Sequence, residues 1–324
     1  MSINPVAAAS IIMLVLLFLK VPVFASVFAA AAAYFFLMPD LPQQIVVQRM
    51  LAGAESIPML AIPFFVCAGT FMNYSGVTAR VMQFCEVLTG RMTGGLAQVN
   101  VLLSTLMGGL SGSNLADAAM EAKMLVPEME KRGFSKEFSS VVTACSAMIT
   151  PLIPPGIAMI VYGSIANVSI GNLFIAGIGP GLLLCVTMML LVSIISHKRN
   201  YKPLRTERMK ASDFMRALKE AALPLCLPII IIGGIRLGIF TPTEAGTVAI
   251  VYSLLLGVIY HELTMDSFIK GMKETIITTS GIMLIICAAN AFAWVLTRER
   301  IPQMITELIV GLIDNKYIFL IAVN

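Results

Sequence analysis

Residues 104–130 read STLMGGLSGSNLADAAMEAKMLVPEME, and this stretch decides the fold. An apolar helix runs into it from residue 96 and stops at a pair of glycines. A polar segment, residues 111–114, follows, and a second helix then begins with two acidic residues in its first turns. In a chain as apolar as this one, we expect such a polar break to lie inside the membrane, where breaks of this kind usually carry function.

The composition is that of a membrane protein. Apolar residues make up 58% of the chain and charged residues 12%, against roughly 45–50% and 25% in soluble domains. The mean hydropathy is +0.90. Long continuous apolar runs are present, whereas the alternating ten-residue segments of an outer-membrane barrel are not. The sequence therefore predicts an all-α polytopic protein that lies in a lipid bilayer.

The positive charge is concentrated in one segment, residues 197–219. Eight basic residues occur there, namely Lys198, Arg199, Lys202, Arg205, Arg208, Lys210, Arg216 and Lys219. Only two acids, Glu207 and Asp213, accompany them. A nucleic-acid-binding protein would need a soluble platform beside such a segment, so we expect no nucleic acid partner. The positive-inside rule instead predicts a basic cytoplasmic linker.

Two interruptions of the apolar pattern predict unusual membrane elements. The arms 95–109 and 114–130 are each shorter than the roughly 20 residues that a full span needs, which favours a re-entrant helical hairpin. Residues 136–166 are helical on both sides of 150–156, which read TPLIPPG. The prolines remove backbone donors and cannot continue a helix. The carbonyls that they free must line a cavity or bind a ligand.

The chain contains an internal repeat. A shift of 220 residues places Pro22 on Pro242 and the pair Cys67-Ala68 on Cys287-Ala288. If the second copy contains four extra residues after this point, Asn100 aligns with Asn324. Repeats with broken helices are typical of secondary transporters. We predict a first repeat (1–196) made of scaffold helices 1–92, a transport-domain hairpin and broken helix 93–170 and a span 172–196, then the linker 197–219, then a second repeat 220–324. We expect this second repeat to be incomplete and to lack its hairpin. If the repeats are inverted, the N-terminus is periplasmic.

Several motifs resemble those of a known family. They read SGSNLADAA at 111–119, LVPEM at 125–129, PLIPPG at 151–156, FTPTEA at 240–245 and LTRERIP at 296–302. In this order they resemble the large membrane subunit (M, or DctM-like) of TRAP transporters. The resemblance implies an inverted-repeat, elevator-type secondary transporter in the bacterial inner membrane. It also implies sodium-driven import of an organic acid anion, such as a C4-dicarboxylate, sialic acid or another sugar acid.

The same resemblance implies two protein partners. A periplasmic binding protein would deliver the substrate, and a small membrane subunit would accompany this chain as a separate polypeptide. Members of the family continue through a second hairpin and a second proline-broken helix, so we expect the present chain to be C-terminally incomplete.

The hairpin tip and the proline break suit the coupling ion, Na⁺. Sodium is a hard cation that prefers oxygen ligands, which carbonyls and hydroxyls supply. We expect its ligands among Gly109, Ser111, Gly112, Ser113, Asn114, Thr150, Pro151 and Pro154. We expect the substrate to contact Ser111, Ser113, Asn114, Pro154, Pro155 and Gly156, with a helix N-terminus directed at the anion.

Other interpretations of these residues stay open. Ser113 or Asn114 could simply cap a helix. Asp117 and Glu121 could stabilise the helix dipole as readily as bind an ion. Arg236 could anchor a carboxylate, although snorkelling or pairing with Glu244 is the favoured interpretation.

An enzyme is the rival function. Residues 109–112 read GLSG, which matches the pattern of rhomboid-type intramembrane serine proteases. Ser111 would then be the nucleophile and would need a histidine within hydrogen-bond reach. His197 begins the basic linker and His261 follows a helix end, so neither is well placed. We therefore expect a transporter with no catalytic residues.

Overall fold

The computed structural model describes residues 4–55, 57–205, 211–312 and 315–323. Within these ranges all regular structure is helical. The α-helices are α1 (Pro5–Phe18), α2 (Val23–Leu37), α3 (Gln44–Ala54), α4 (Ala61–Tyr74), α5 (Val77–Thr89), α6 (Gly95–Ser111), α7 (Asn114–Lys131), α8 (Lys136–Ser146), α9 (Ile157–Ala166), α10 (Ile170–Lys198), α11 (Ala211–Arg236), α12 (Pro242–Ile259), α13 (Met265–Arg298), α14 (Ile301–Leu312) and α15 (Lys316–Val323). Two 3-10 turns, Ile57–Leu60 and Thr150–Leu152, are also present. The all-α prediction is confirmed.

The described helices include several that match a bilayer in length. Four of them, α10 to α13, are long and apolar enough to cross it. Lys136–Leu152 and α9 together pass the same test as one broken span, bent by 45°. The bend falls at the predicted proline break, where the ring nitrogens cannot donate hydrogen bonds. The polytopic membrane prediction is thus confirmed.

The predicted re-entrant hairpin corresponds to α6 and α7. These helices contain 17 and 18 residues, which is less than the roughly 20 residues of a full span. α6 is buried along most of its length, and α4, α5, α7, α8, α10 and α11 all pack against it. Its position at the centre of these helices explains why polar side chains on it find partners on neighbouring elements.

The chain divides into two compact units, which do not follow the predicted repeat boundaries. One unit comprises Met1–Ser56 with Ser280–Asn324, and the other comprises Ile57–Thr279. In the first, Phe35 stacks on Trp294, the hydroxyl of Tyr34 donates to Glu299, and Asn290 Nδ2 donates to the carbonyl of Arg49 at 2.9 Å. The second contains the hairpin and the proline break. The division into two repeats stays a prediction from sequence.

Residues 261–297 form a different element from the one that the repeat suggests. Their composition predicts an interfacial helix over 261–275 and a separate span over 277–297, but the structure has a single helix, α13. In the first repeat, Pro58 lies in the 3-10 turn that separates α3 from α4. No proline occurs between residues 261 and 301, so nothing in the backbone stops α13.

The predicted linker 197–219 is partly helical. α10 extends to Lys198 and α11 begins at Ala211. Between them, the guanidinium of Arg205 lies 3.8 Å from the carboxylate of Glu86 on α5. Three predicted basic or acidic linker residues, Glu207, Arg208 and Lys210, lie outside the described residues, as does Asn324 at the end of the repeat comparison.

Candidate functional site

The hairpin tip is a tight turn that only glycine allows at its centre. α6 ends at Ser111, and Gly112 has a φ of +63°, in the left-handed region where glycine carries no steric penalty. A Cβ atom at this position would also collide with the carbonyl oxygen of Pro155. The backbone N–H of Ile157, at the start of α9, donates to the carbonyl of Gly112 at 3.3 Å. The tip is therefore joined directly to the proline break.

A second close approach lies one turn earlier on α6. A Cβ atom at Gly108 would lie 2.9 Å from the carbonyl oxygen of Thr150. Pro154, Pro155 and Gly156 are all buried. The structure thus brings residues 109–114 and residues 150–156 together, which is the arrangement that the predicted sodium site requires.

Two of the predicted ligand side chains have local partners. Ser113 is the N-cap of α7, and its Oγ accepts a hydrogen bond from the N–H of Ala116 at 3.4 Å. Asn114 is exposed, and its Oδ1 accepts from the N–H of Leu115 at 3.0 Å. The hydroxyl of Ser113 therefore caps α7, as one of the two interpretations of this residue predicts. Both residues stay predicted ligands.

Asp117 connects the two segments. Its side chain is 0% exposed. Its Oδ2 accepts a hydrogen bond from Ser111 Oγ at the tip, at 2.6 Å, and another from Thr150 Oγ1 at the proline break, at 3.1 Å. Its Oδ1 is buried and has no hydrogen-bond partner within the described ranges. Helix-dipole stabilisation alone would not require this burial or these two partners.

The polar contacts continue along α6, away from the tip. Ser104 Oγ lies 2.7 Å from Glu121 Oε2, and Thr150 Oγ1 lies 3.3 Å from the carbonyl oxygen of Ser104. Asn100 Nδ2 donates to Thr143 Oγ1 on α8 at 2.7 Å. We name this set the hairpin polar cluster, and its members are Asn100, Ser104, Ser111, Asp117, Glu121, Thr143, Ser146 and Thr150.

Sequence reasoning missed part of this cluster. Asn100, Thr143 and Ser146 were not among the predicted site residues, although Ser146 Oγ donates to Asn100 Oδ1 at 2.8 Å. A signal did exist in the sequence. Asn100 and Ser104 are four residues apart on α6, and Asp117 and Glu121 are four apart on α7, so each pair lies on one helix face.

The cluster contains two carboxyl groups, those of Asp117 and Glu121, and no basic side chain. Neither Asp117 nor Glu121 has an ion-pair partner among the residues that the structure describes. A buried carboxylate without a countercharge is strongly unfavourable, so it must be protonated or accompanied by a cation. The carbonyls and hydroxyls of the tip and the proline break form a donor set that fits a hard monovalent cation, and the carboxylate of Asp117 would supply the countercharge.

A second polar region lies around Arg236, at the end of α11. Arg236 lines a cavity of about 710 Å³, together with Ser164, Asn167, Asn172 and Thr241. The expected pairing of Arg236 with Glu244 is wrong, because no ion pair of Arg236 occurs in the described part of the chain. Glu244 instead accepts from the N–H of Thr241 at 2.7 Å and closes a capping box at the start of α12.

The protease interpretation gains no support from the contacts of Ser111. Its hydroxyl donates to Asp117, and neither histidine hydrogen-bonds to it in the described ranges. His197 lies in the last turn of α10, and His261 lies in the turn after α12.

Comparison with known protein families decides the class. Residues 10–324 match the family model of the DctM component of the tripartite ATP-independent periplasmic transporters. The chain belongs to the DctM family. It is accordingly a multi-pass protein of the bacterial inner membrane, and the family resemblance of its motifs is confirmed.

Individual relatives agree with this assignment. The sialic acid TRAP transporter large permease protein SiaM of Vibrio cholerae is 39% identical over 310 residues, which cover 95% of this chain and 72% of the relative. The 2,3-diketo-L-gulonate TRAP transporter large permease protein YiaN of Escherichia coli is 35% identical over 303 residues, or 93% of this chain and 71% of the relative. The sialic acid TRAP transporter permease protein SiaT of Haemophilus influenzae is 34% identical over 322 residues, or 99% of this chain and 52% of the relative. The chain thus spans between about half and three quarters of the length of these DctM-family proteins.

Proposed function

We propose that this chain is the large permease subunit of a TRAP transporter that imports an organic acid anion. Membership of the DctM family supports a role in transport. The printed names of the relatives support the substrate class, because they include sialic acid, 2,3-diketo-L-gulonate and C4-dicarboxylate permeases, all of them for acids. The substrate is one member of this class. Its partners are a small membrane subunit and a periplasmic binding protein.

We further propose that sodium drives this import and binds between the hairpin tip and the proline break. The observation that carries the proposal is the position of Asp117, whose carboxylate accepts hydrogen bonds from both segments and keeps one oxygen without a partner. The ligands are the oxygens of Gly109, Ser111, Gly112, Ser113, Asn114, Thr150, Pro151 and Pro154. Asp117 acts behind them as the countercharge, so the site needs no carboxylate in direct contact with the ion.

The same junction is the proposed substrate site. Ser111, Ser113, Asn114, Pro154, Pro155 and Gly156 form its surface. α7 and α9 both begin there, at Asn114 and Ile157, and the N-terminal ends of helices attract anions. A sodium ion bound at the junction would add positive charge. This arrangement couples the two ligands, because the anion binds better once the cation is in place.

The Arg236 cavity is the proposed approach route for the anion. If the basic linker is cytoplasmic, α11 begins on that side and ends at Arg236 on the other. A helix of 26 residues is about 39 Å long, which is enough to cross the membrane. Arg236 then lies on the periplasmic side, where the binding protein releases its acid. An arginine without an ion pair suits a carboxylate that stays only briefly.

The test is uptake by proteoliposomes that contain the complete permease and its small subunit. Candidate acids are presented on the binding protein, and the sodium gradient is imposed, removed or replaced by a potassium gradient. We expect accumulation only with inward sodium and with loaded binding protein. Equal accumulation with sodium and with potassium would rule out sodium coupling. Failure of every organic acid would rule out the substrate class.

A further inference from the structure

Glu121 is a buried acid that the proposed sodium site does not use. It lies one helical turn after Asp117 on α7, and its side chain is 0% exposed. Its Oε2 lies 2.7 Å from Ser104 Oγ. Its Oε1 is buried and has no hydrogen-bond partner in the part of the chain that the structure describes. A carboxylate with one hydroxyl neighbour is much less well satisfied than Asp117, which has two.

The hydroxyl of Ser104 has two acceptors and a single proton. Ser104 Oγ lies 2.7 Å from Glu121 Oε2 and 3.2 Å from the carbonyl oxygen of Asn100, which can only accept. If Glu121 is ionised, Ser104 must donate its single proton to the carboxylate, and the carbonyl of Asn100 then receives no hydrogen bond from Ser104. If Glu121 is protonated, the carboxyl O–H donates to Ser104, and Ser104 donates to Asn100. Only the protonated form satisfies both contacts at once.

Among the residues that the structure describes, no positive charge lies close enough to Glu121 to stabilise its ionised form. On its own helix it faces Asp117, whose negative charge repels it. α6 and the 3-10 turn Thr150–Leu152 carry no titratable side chain. α8 carries Lys136 and Glu137 at its exposed start and Cys145, which is half-buried. On α5, the buried thiol of Cys85 interacts with Glu121 and supplies no cation.

We propose that Glu121 is a proton-binding site linked to the cation site of the hairpin. Its carboxyl group carries a proton in the conformation described, and it releases that proton to solvent water when a cation binds beside Asp117. One positive charge leaves as another arrives, so the total charge of the buried region is unchanged. Ser104 then turns its O–H from the carbonyl of Asn100 to the carboxylate. The proposal rests on the proposed sodium site, but the protonation of Glu121 can be tested without it.

The direction of the linkage follows from this exchange. Protons and sodium compete, so the affinity for sodium rises as the pH rises through the range in which Glu121 titrates. Coupling between two sites is reciprocal, so bound sodium also promotes release of the proton. A glutamine at position 121 is permanently neutral and has lost the exchangeable proton. E121Q should therefore bind sodium with the low affinity that the wild-type protein shows at acidic pH.

The experiment combines infrared spectroscopy with sodium binding on the purified complete permease and small subunit. The wild-type protein should show the C=O stretching band of a protonated carboxylic acid, which E121Q lacks and which added sodium weakens. Because burial moves the titration of a glutamate toward neutral or alkaline pH, the sodium affinity of the wild-type protein should rise about tenfold between about pH 6 and about pH 9, and E121Q should show no such rise. E128Q is the matched control, because Glu128 is on the same helix and forms surface ion pairs with Lys131 and Arg132. It should keep both the band and the pH dependence.

The possible outcomes are distinct. A band that persists unchanged in E121Q, or a pH dependence of sodium affinity that E121Q shares with the wild-type protein, overturns the proton site. If E121Q does not fold, S104A gives the answer, since the band must then shift in frequency as the carboxyl loses its hydroxyl partner. An unshifted band in S104A also overturns the proposal. If no preparation binds sodium but the band is lost in E121Q, the sodium site fails and the proton on Glu121 stands.

Discussion

The hairpin polar cluster and the Arg236 cavity lie in the same compact unit, yet they hold charge in opposite ways. Asp117 and Glu121 are buried, acidic and surrounded by hydroxyl groups. Arg236 is exposed beside an open cavity and forms no ion pair in the described structure. Buried charges interact strongly because little water screens them, whereas exposed charges contribute little. Under the proposed function, this difference predicts that the cation binds tightly in the interior and that Arg236 attracts the anion weakly at the surface.

The largest effect should come from removing the negative charge of the interior site. D117N keeps the shape of the side chain but loses the countercharge of the proposed sodium ion. A unit charge a few ångströms away contributes roughly 3–4 kcal/mol inside a protein, so sodium affinity should fall by a factor of several hundred. Sodium-dependent uptake should fall with it. Sodium titration of uptake measures this, with E128Q as control, and an unchanged sodium dependence in D117N would remove Asp117 from the site.

The next effect should come from separating the tip from the proline break. G112A introduces a Cβ that collides with the carbonyl of Pro155. Its matched control is G133A, because Gly133 also has a positive φ, +87°, but has nothing within 4 Å of an added Cβ. Both variants carry the cost of placing a residue with a Cβ atom at a positive φ, which is roughly 1–2 kcal/mol. We expect only G112A to lose most of its uptake, and equal losses in the two variants would show that the close approach is unimportant.

A smaller effect should come from the surface arginine. R236Q removes the charge that faces the cavity, and we expect the KM for the acid to rise roughly fivefold while the sodium dependence stays as in the wild-type protein. R236K retains the charge and should retain most of the apparent affinity. The measurement is the initial rate of uptake against the concentration of loaded binding protein. A change in sodium dependence in R236Q would contradict the separation of the two regions.

The smallest effect should come from the capping box beside the cavity. T241A removes the side chain that caps α12, so the thermal midpoint of the complete permease should fall by a few degrees without a change in KM. T247A is the control, because Thr247 lies on the exposed surface of the same helix. A raised KM in T241A would show that this residue binds the anion as well as capping the helix.

Much of the fold could be predicted from local sequence. The glycines and polar residues at 108–114 predicted the tip, and the prolines at 151–155 predicted the broken helix, because both act on the backbone directly. The prediction failed at residues 261–297, where mixed composition suggested a break but no proline or cap enforces one. Helix ends need a local chemical cause, and a change in polarity along an apolar helix is not sufficient.

The sequence by itself determined that this is a helical membrane protein with a polar hairpin, because hydropathy, glycine and proline act within a few residues of the chain. Its motifs also determined the family. Only the tertiary structure decided that Asp117 connects Ser111 to Thr150, since residues 33 positions apart meet by the packing of α6, α7 and the proline break. The same packing removed water from Glu121 and left one of its oxygens without a partner. Burial and hydrogen bonding between helices, which give these two acids their chemistry, exist only in the folded chain.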